Sequence, residues 1–146
     1  MGRGDTPAPV VPDTRPMRHV VRLSGVIIGY SDLEDVTPSL GRARGRFRPG
    51  VGYELVQPVF RLFAEAVPEP GGTVVDAEKL ARYHKSRDAL PLTLEDATGT
   101  VLTGTSIHIV DYAEQQGPAA RELEVLIGDE AYWARRNGEA RDAARR

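Results

Sequence analysis

The sequence predicts a single α+β domain: a largely antiparallel sheet of about five strands packed with two helices, followed by a C-terminal helix. Three observations carry this. Residues 19–30 are dense in Val and Ile yet too short to span a membrane, as in a buried strand. Residues 42–48 alternate strictly between arginine and a small or apolar residue, the two-residue period of a strand. Val56, Val59, Phe60, Phe63, Ala66 and Val67 then recur at the spacing of a helix with one buried face.

The first strand occupies residues 19–30. Thr37-Pro38-Ser39-Leu40-Gly41 carries turn chemistry before the arginine strand, which Pro49-Gly50 ends. A helix follows over 54–67, with Pro58 tolerated in its first turn, where a missing N–H is harmless. Pro68, Pro70, Gly71 and Gly72 stop it, and Asp76 offers an N-cap to a second helix containing Leu80, Tyr83, His84, Arg87 and Leu90. Leu90, Leu92 and Leu94 alternate, residues 95–99 read as a turn, and 101–112 return to β-type residues, so a hairpin with a bend near Gly104 is expected. After a polar loop, Leu123, Val125 and Ile127 alternate with Glu122 and Glu124 as in a half-exposed strand. The terminal helix starts at Asp129-Glu130 and turns basic, the charge order a helix dipole favours, with Asn137-Gly138 expected to break or fray it.

These elements divide the chain into a flexible proline-rich tail at 1–17, one domain at 18–136, and a frayed basic end at 137–146. The sheet is expected to be covered on one side; a strongly curled or half-barrel sheet is the alternative. A chain of 146 residues has room for one core. Its 40% hydrophobic and 27% charged residues are those of a globular protein and not of a disordered one. No repeat and no persistent heptad is visible.

Composition narrows the chemistry. The chain has no cysteine, which removes disulfides, thiolate metal sites and a cysteine nucleophile, and fits a reducing compartment. The N-terminal residues lack the apolar run of a signal peptide, and no transmembrane stretch occurs, so the expectation is a cytoplasmic protein of bacterial type. Arg3-Gly4-Asp5 resembles an integrin-recognition tripeptide, but without a secretion signal it reads as a chance match. The formal charge of -2 gives no global attraction to phosphate backbones, so nucleic acid is an unfavoured partner. Lys79 and Lys85 are the only lysines, a bias that suggests GC-rich coding more than a chemical need.

The arginine row is the most unusual feature. In an extended strand Arg42, Arg44, Arg46 and Arg48 share one face, while Ala43, Gly45 and Phe47 share the other. Planar guanidinium forks suit bidentate recognition of carboxylate or phosphate. The same row also fits a solvated face, because a hairpin centred near Pro38 would set Glu34 opposite Arg42 and Asp32 opposite Arg44.

The remaining candidates are sparser. The acidic cluster Asp32, Glu34 and Asp35 lacks the spacing of a calcium loop and reads most simply as a charged turn. His84 has Tyr83, Arg87 and Asp88 within a helical turn, an arrangement that surface pairing also explains. His108 lies on the face opposite Ile107 and Ile109, with Asp111 pointing the other way, and reads as an exposed or hydrogen-bonded strand histidine. A triad of Ser106, His108 and Asp111 can be written down, but only geometry decides such sets. No zinc, phosphate-loop, dinucleotide or nucleophile-elbow motif occurs, and no cofactor or metal is expected. Tyr132 and Trp133 either seal the core or form a contact surface.

The preferred reading is a non-enzymatic binding or interaction module that engages an acidic partner or ligand, or its own copy, through the arginine strand and the Tyr132-Trp133 helix. A small enzyme with a pocket around His84, His108, Asp111 or the Asp32 cluster is one alternative. A phosphate or nucleic-acid binder is the other.

Overall fold

The computed structural model describes residues 18–144. The proline-rich tail with its Arg3-Gly4-Asp5 string, and the last two residues, lie outside them. The fold is α+β, with two open antiparallel sheets of four strands each.

The segment expected to be one strand is a hairpin, β1 (His19–Leu23) and β2 (Val26–Ser31). Ser24 and Gly25 form its two-residue loop with φ of 48° and 90°. Positive φ at both positions is the turn whose twist matches paired strands. Ser-Gly was the available signal, and the continuous Val/Ile run hid it.

β2 leads through Leu33 to β3 (Asp35–Thr37), a 3-10 turn at Pro38–Leu40, and β4 (Arg42–Arg46). Leu33 is fully buried and backbone-strained at φ 46°. The turn takes four residues and closes on Gly41 at φ 62°. It therefore pairs Asp35 with Arg44 and Thr37 with Arg42. The expected pairings of Glu34 with Arg42 and Asp32 with Arg44 do not form, because the hairpin is centred between Ser39 and Leu40 and not at Pro38.

The arginine strand is also divided. Arg46 pairs with Glu122 in one sheet, whereas β5 (Arg48–Pro49) pairs with β2 in the other. Phe47 is the crossing point and is buried. Gly29 leaves room for its ring: a Cβ there would also stand 2.6 Å from the Arg48 carbonyl oxygen. The first sheet runs β5-β2-β1-β6 and the second β3-β4-β8-β7.

After β5, a 3-10 turn at Tyr53–Leu55 leads into α1 (Gln57–Ala66), with Pro58 in the first turn as the sequence predicts. α2 (Ala77–Asp88) begins at Asp76, whose side chain accepts from the Lys79 N–H at 3.1 Å. The two helices meet through Phe60, Phe63 and Tyr83, with ring centroids 6.1 and 5.4 Å from Tyr83.

β6 (Leu92–Glu95) closes the first sheet against β1. The hairpin expected after it is reduced to a bridge between Glu95 and Val101. The chain then bends at Gly104, φ 62°, and β7 (Thr105–Asp111) joins the second sheet. The chain changes sheets at Leu33, Phe47 and Gly104, and the five expected strands become eight through the Ser24-Gly25 hairpin, the added β3 and the division at Phe47.

A short α3 (Ala113–Gln116) precedes β8 (Arg121–Ile127), which alternates as expected, with Leu123, Val125 and Ile127 buried. α4 (Glu130–Ala144) runs through Asn137 and Gly138 without the expected break. Asp129 caps it through the Tyr132 N–H at 3.2 Å.

One core joins these parts. Val21 and Ile28 come from the first sheet, Ala43, Ile107, Ile109, Leu123 and Val125 from the second, and Val56, Phe60, Tyr83 and Tyr132 from the helices.

Candidate functional site

The outer face of the second sheet consists of every residue the core does not take. Because β4, β8 and β7 are in register, their outward side chains form three rungs: Arg42, Leu126 and Ser106; Arg44, Glu124 and His108; Arg46, Glu122 and Val110. The alternation read over residues 42–48 holds in burial, with Arg42, Arg44 and Arg46 exposed and Ala43, Gly45 and Phe47 buried. Arg48 is exposed too, but it belongs to the other sheet and faces Asp32 at 3.4 Å.

Charge along the row is uneven. Arg44 Nε donates to Asp35 at 3.0 Å, and the fields of Glu122 and Glu124 add to that bond in holding its pKa above the ordinary value. Burial and a hydrogen bond with Glu124 raise the Glu122 carboxyl. Arg42 and Arg46 form no ion pair among the described residues. Glu122 and Glu124 act as counter-charges that went unassigned in the sequence, although their alternation with Leu123 and Val125 already placed them on the outer face.

At the β7 side α1 and α2 overhang the sheet. Between them and the first two rungs lies a groove of about 400 Å³. Phe63, Tyr83, His84 and Arg87 form its helical wall, and Arg42, Ser106, His108, Glu124 and Leu126 its sheet wall. Leu126 is 50% exposed, an apolar side chain set among charged ones. The Phe63 and His108 rings are 4.5 Å apart, edge to face.

His108 and Tyr83 are directly bonded, the tyrosine hydroxyl to Nδ1. Burial, then the fields of Arg87 and His84, lower the imidazole pKa to about 4. Burial raises that of the Tyr83 phenol. Both groups are therefore neutral at pH 7. A neutral imidazole nitrogen is a stronger acceptor than a phenol oxygen, so the hydroxyl donates to Nδ1 and the ring proton resides on Nε2.

His84 is exposed on α2 and borders the same groove, so the two histidines do come together. Asp111 does not join them. It is buried on the opposite face, where Tyr53 donates at 2.6 Å, the Ala113 N–H at 2.9 Å, and Arg121 stands at 3.2 Å. Burial pushes the Asp111 carboxyl up, but these partners outweigh it and leave it below its ordinary value. The Ser106, His108 and Asp111 set is thus not assembled. Asp32 and Glu34 also lie outside the groove.

Tyr132 is fully buried, its hydroxyl 2.9 Å from His19 Nε2 and 2.7 Å from the donating Arg136 guanidinium. Trp133 is half-buried and donates to the Ile127 carbonyl at 2.8 Å. The pair seals the core, and the Tyr132 ring offers no contact surface. Among the described residues no group of three or more His, Asp or Glu side chains is placed to hold a metal ion, and no helix is long and apolar enough to cross a membrane.

No family model matches the chain, and neither a curated protein nor a solved structure matches it.

Proposed function

We propose that this chain is a binding module that takes an acidic partner or ligand on the outer face of the second sheet, through Arg42 and Arg46. The observation that carries this reading is the uneven neutralisation of the arginine row. Arg44 is matched by Asp35, Glu122 and Glu124, whereas its two exposed neighbours are left without ion pairs among the described residues. Unmatched guanidinium groups on a rigid strand are pre-oriented for carboxylate or phosphate, because the strand holds their spacing before binding. The absence of cysteine fits a cytoplasmic setting for this module.

The test is native mass spectrometry and affinity capture with the full-length chain and with Arg42→Glu plus Arg46→Glu. Loss of a co-purified acidic molecule or partner in the double variant supports the reading. Unchanged capture and self-association overturn it, since charge reversal at both positions abolishes attraction to an anion.

A further inference from the structure

We infer that the groove between α2 and the second sheet is a specific site for a small oxyanion with a flat apolar body, a carboxylate or a phosphate monoester, its head bound by Arg42, Arg87 and His108. This rests on the acidic-ligand reading and narrows it to one place and one ligand class.

Size sets the first limit. A groove of about 400 Å³ lies in the range of small-molecule sites, roughly 300–1,000 Å³. The apolar body follows from the lining: Phe63 presents a ring from the helical wall, and Leu126, 50% exposed, presents an aliphatic side chain from the sheet wall. An apolar ligand covering Leu126 removes that surface from water.

The head group follows from the donors. Arg42 comes from the sheet wall and Arg87 from the helical wall, so two cations border one opening from opposite sides. Arg87 is 3.2 Å from Asp88, and because the Asp88 side chain is 68% exposed, solvent screens the pair and an incoming anion can replace the aspartate. Glu124 also lines the groove, across from Arg44 on β4, so the lining itself sets two guanidinium groups against one carboxylate.

His108 supplies selectivity. Tyr83 occupies Nδ1, so the imidazole offers Nε2–H as a neutral donor with a fixed tautomer. Such a donor favours an acceptor head over an ammonium or amide N–H. Tyr83 is therefore a positioning residue: it acts on the ligand through the orientation and tautomer of His108.

The probes are 2-naphthoate, 2-naphthyl phosphate and the neutral isostere 2-naphthamide, titrated into the full-length protein by calorimetry and followed by 15N NMR of the histidine rings. At least one anion should bind saturably, and the amide at least about tenfold more weakly, as expected when charge-assisted hydrogen bonds are lost. Which anion binds distinguishes a carboxylate from a phosphate site. Arg42→Gln and Arg87→Gln should each weaken binding about tenfold, and His108→Asn likewise. Tyr83→Phe keeps the ring but should shift the His108 15N signals towards a mixture of tautomers and weaken the anion more than the amide.

Binding of the amide as tightly as of the anions overturns the inference, as does binding that all four variants leave unchanged. Failure of both anions to bind also overturns it. If that failure accompanies loss of acidic cargo in Arg42→Glu plus Arg46→Glu, the groove is wrong and the wider face stands. If neither effect is seen, both fall.

Discussion

The Tyr53 hydroxyl donates to Asp111 Oδ2 at 2.6 Å, tying the turn before α1 to the last residue of β7 across 58 positions of sequence. Arg121, paired with Asp111 across the β7–β8 ladder, brings a guanidinium to the same carboxylate and lies 5.5 Å from the Tyr53 ring. With the Ala113 N–H, three groups thus satisfy one buried charge, which is what makes its burial tolerable.

Removing that charge is the first prediction. Asp111→Ala should destabilise the fold by about 3–5 kcal/mol, because Arg121 is left as an uncompensated cation in a largely buried position. Tyr53→Phe should cost less, about 1–2 kcal/mol, since it deletes one hydrogen bond and leaves the ion pair. Urea unfolding of both variants, with midpoints compared at unchanged m-value, checks the order.

The second concerns pH. His108 has a folded-state pKa lowered to about 4, against 6.5 for an unperturbed imidazole, with burial the main cause and Arg87 and His84 contributing. Between these values the unfolded chain takes a proton that the native state refuses. This contribution to stability is complete above pH 6.5 and declines as pH falls through the window to about 4. Allowing for the partial exposure of His108, the loss should be roughly 1–3 kcal/mol. Asp96 and Asp111 carry depressed pKa values and act in the same direction, but below the ordinary carboxylate range. Stability measured from pH 7 to 4.5 should therefore slope less in His108→Gln than in the parent; parallel slopes would remove the argument.

Gly29 supports the third. A methyl group there would collide with the Phe47 ring and stand 2.6 Å from the Arg48 carbonyl oxygen, and backbone cannot rotate away as a side chain can. Gly29→Ala should cost about 1–3 kcal/mol, and Phe47→Leu in the same chain should recover part of that. Thermal unfolding of the two variants and the double variant measures the coupling.

The fourth is a stabilising change. Ser24 sits at φ 48° in the β1–β2 loop, a conformation that asparagine adopts more readily than serine. Ser24→Asn, which creates Asn-Gly, should raise stability by roughly 0.5 kcal/mol, whereas Ser24→Val should lower it. Chemical denaturation checks both signs.

Much of the local structure was legible in the sequence. Asp76 as a cap, Pro58 in a first turn, the outward arginines at 42, 44 and 46, and the alternation of Leu123, Val125 and Ile127 are all decided by residues within a few positions of one another. The hairpin at Ser24-Gly25 was legible in principle, but the apolar run outweighed a two-residue turn signal. Phe47 gave no warning that the strand changes sheets, since an inward phenylalanine looks the same in a continuous strand. The uninterrupted passage of α4 through Asn137-Gly138 shows two poor helix formers outweighed by the turns around them.

The candidate site was legible only in pieces. His84, His108 and Arg42 could each be named, but nothing in their spacing placed them around one groove. Asp111, three residues from His108, appears close in sequence and lies on the other side of the sheet, because an odd offset along a strand reverses the face. Tyr132 at a helix start suits a core seal or a contact surface, and its burial and its bond with His19 place it in the core.

The sequence by itself determined the class of fold, the helices α1, α2 and α4, and which residues of β4, β7 and β8 face outward, because periodicity and capping act over a turn or a few residues. Only the tertiary structure decided which charges face one another. That choice depends on register, set here by a four-residue loop closing on Gly41 and by the crossing at Phe47, and on the packing of α1 and α2 over β7 that encloses the groove. Pairing energies between distant segments depend on geometry that local sequence does not encode, so the matched state of Arg44 and the unmatched state of Arg42 among the described residues follow from the fold and not from their neighbours.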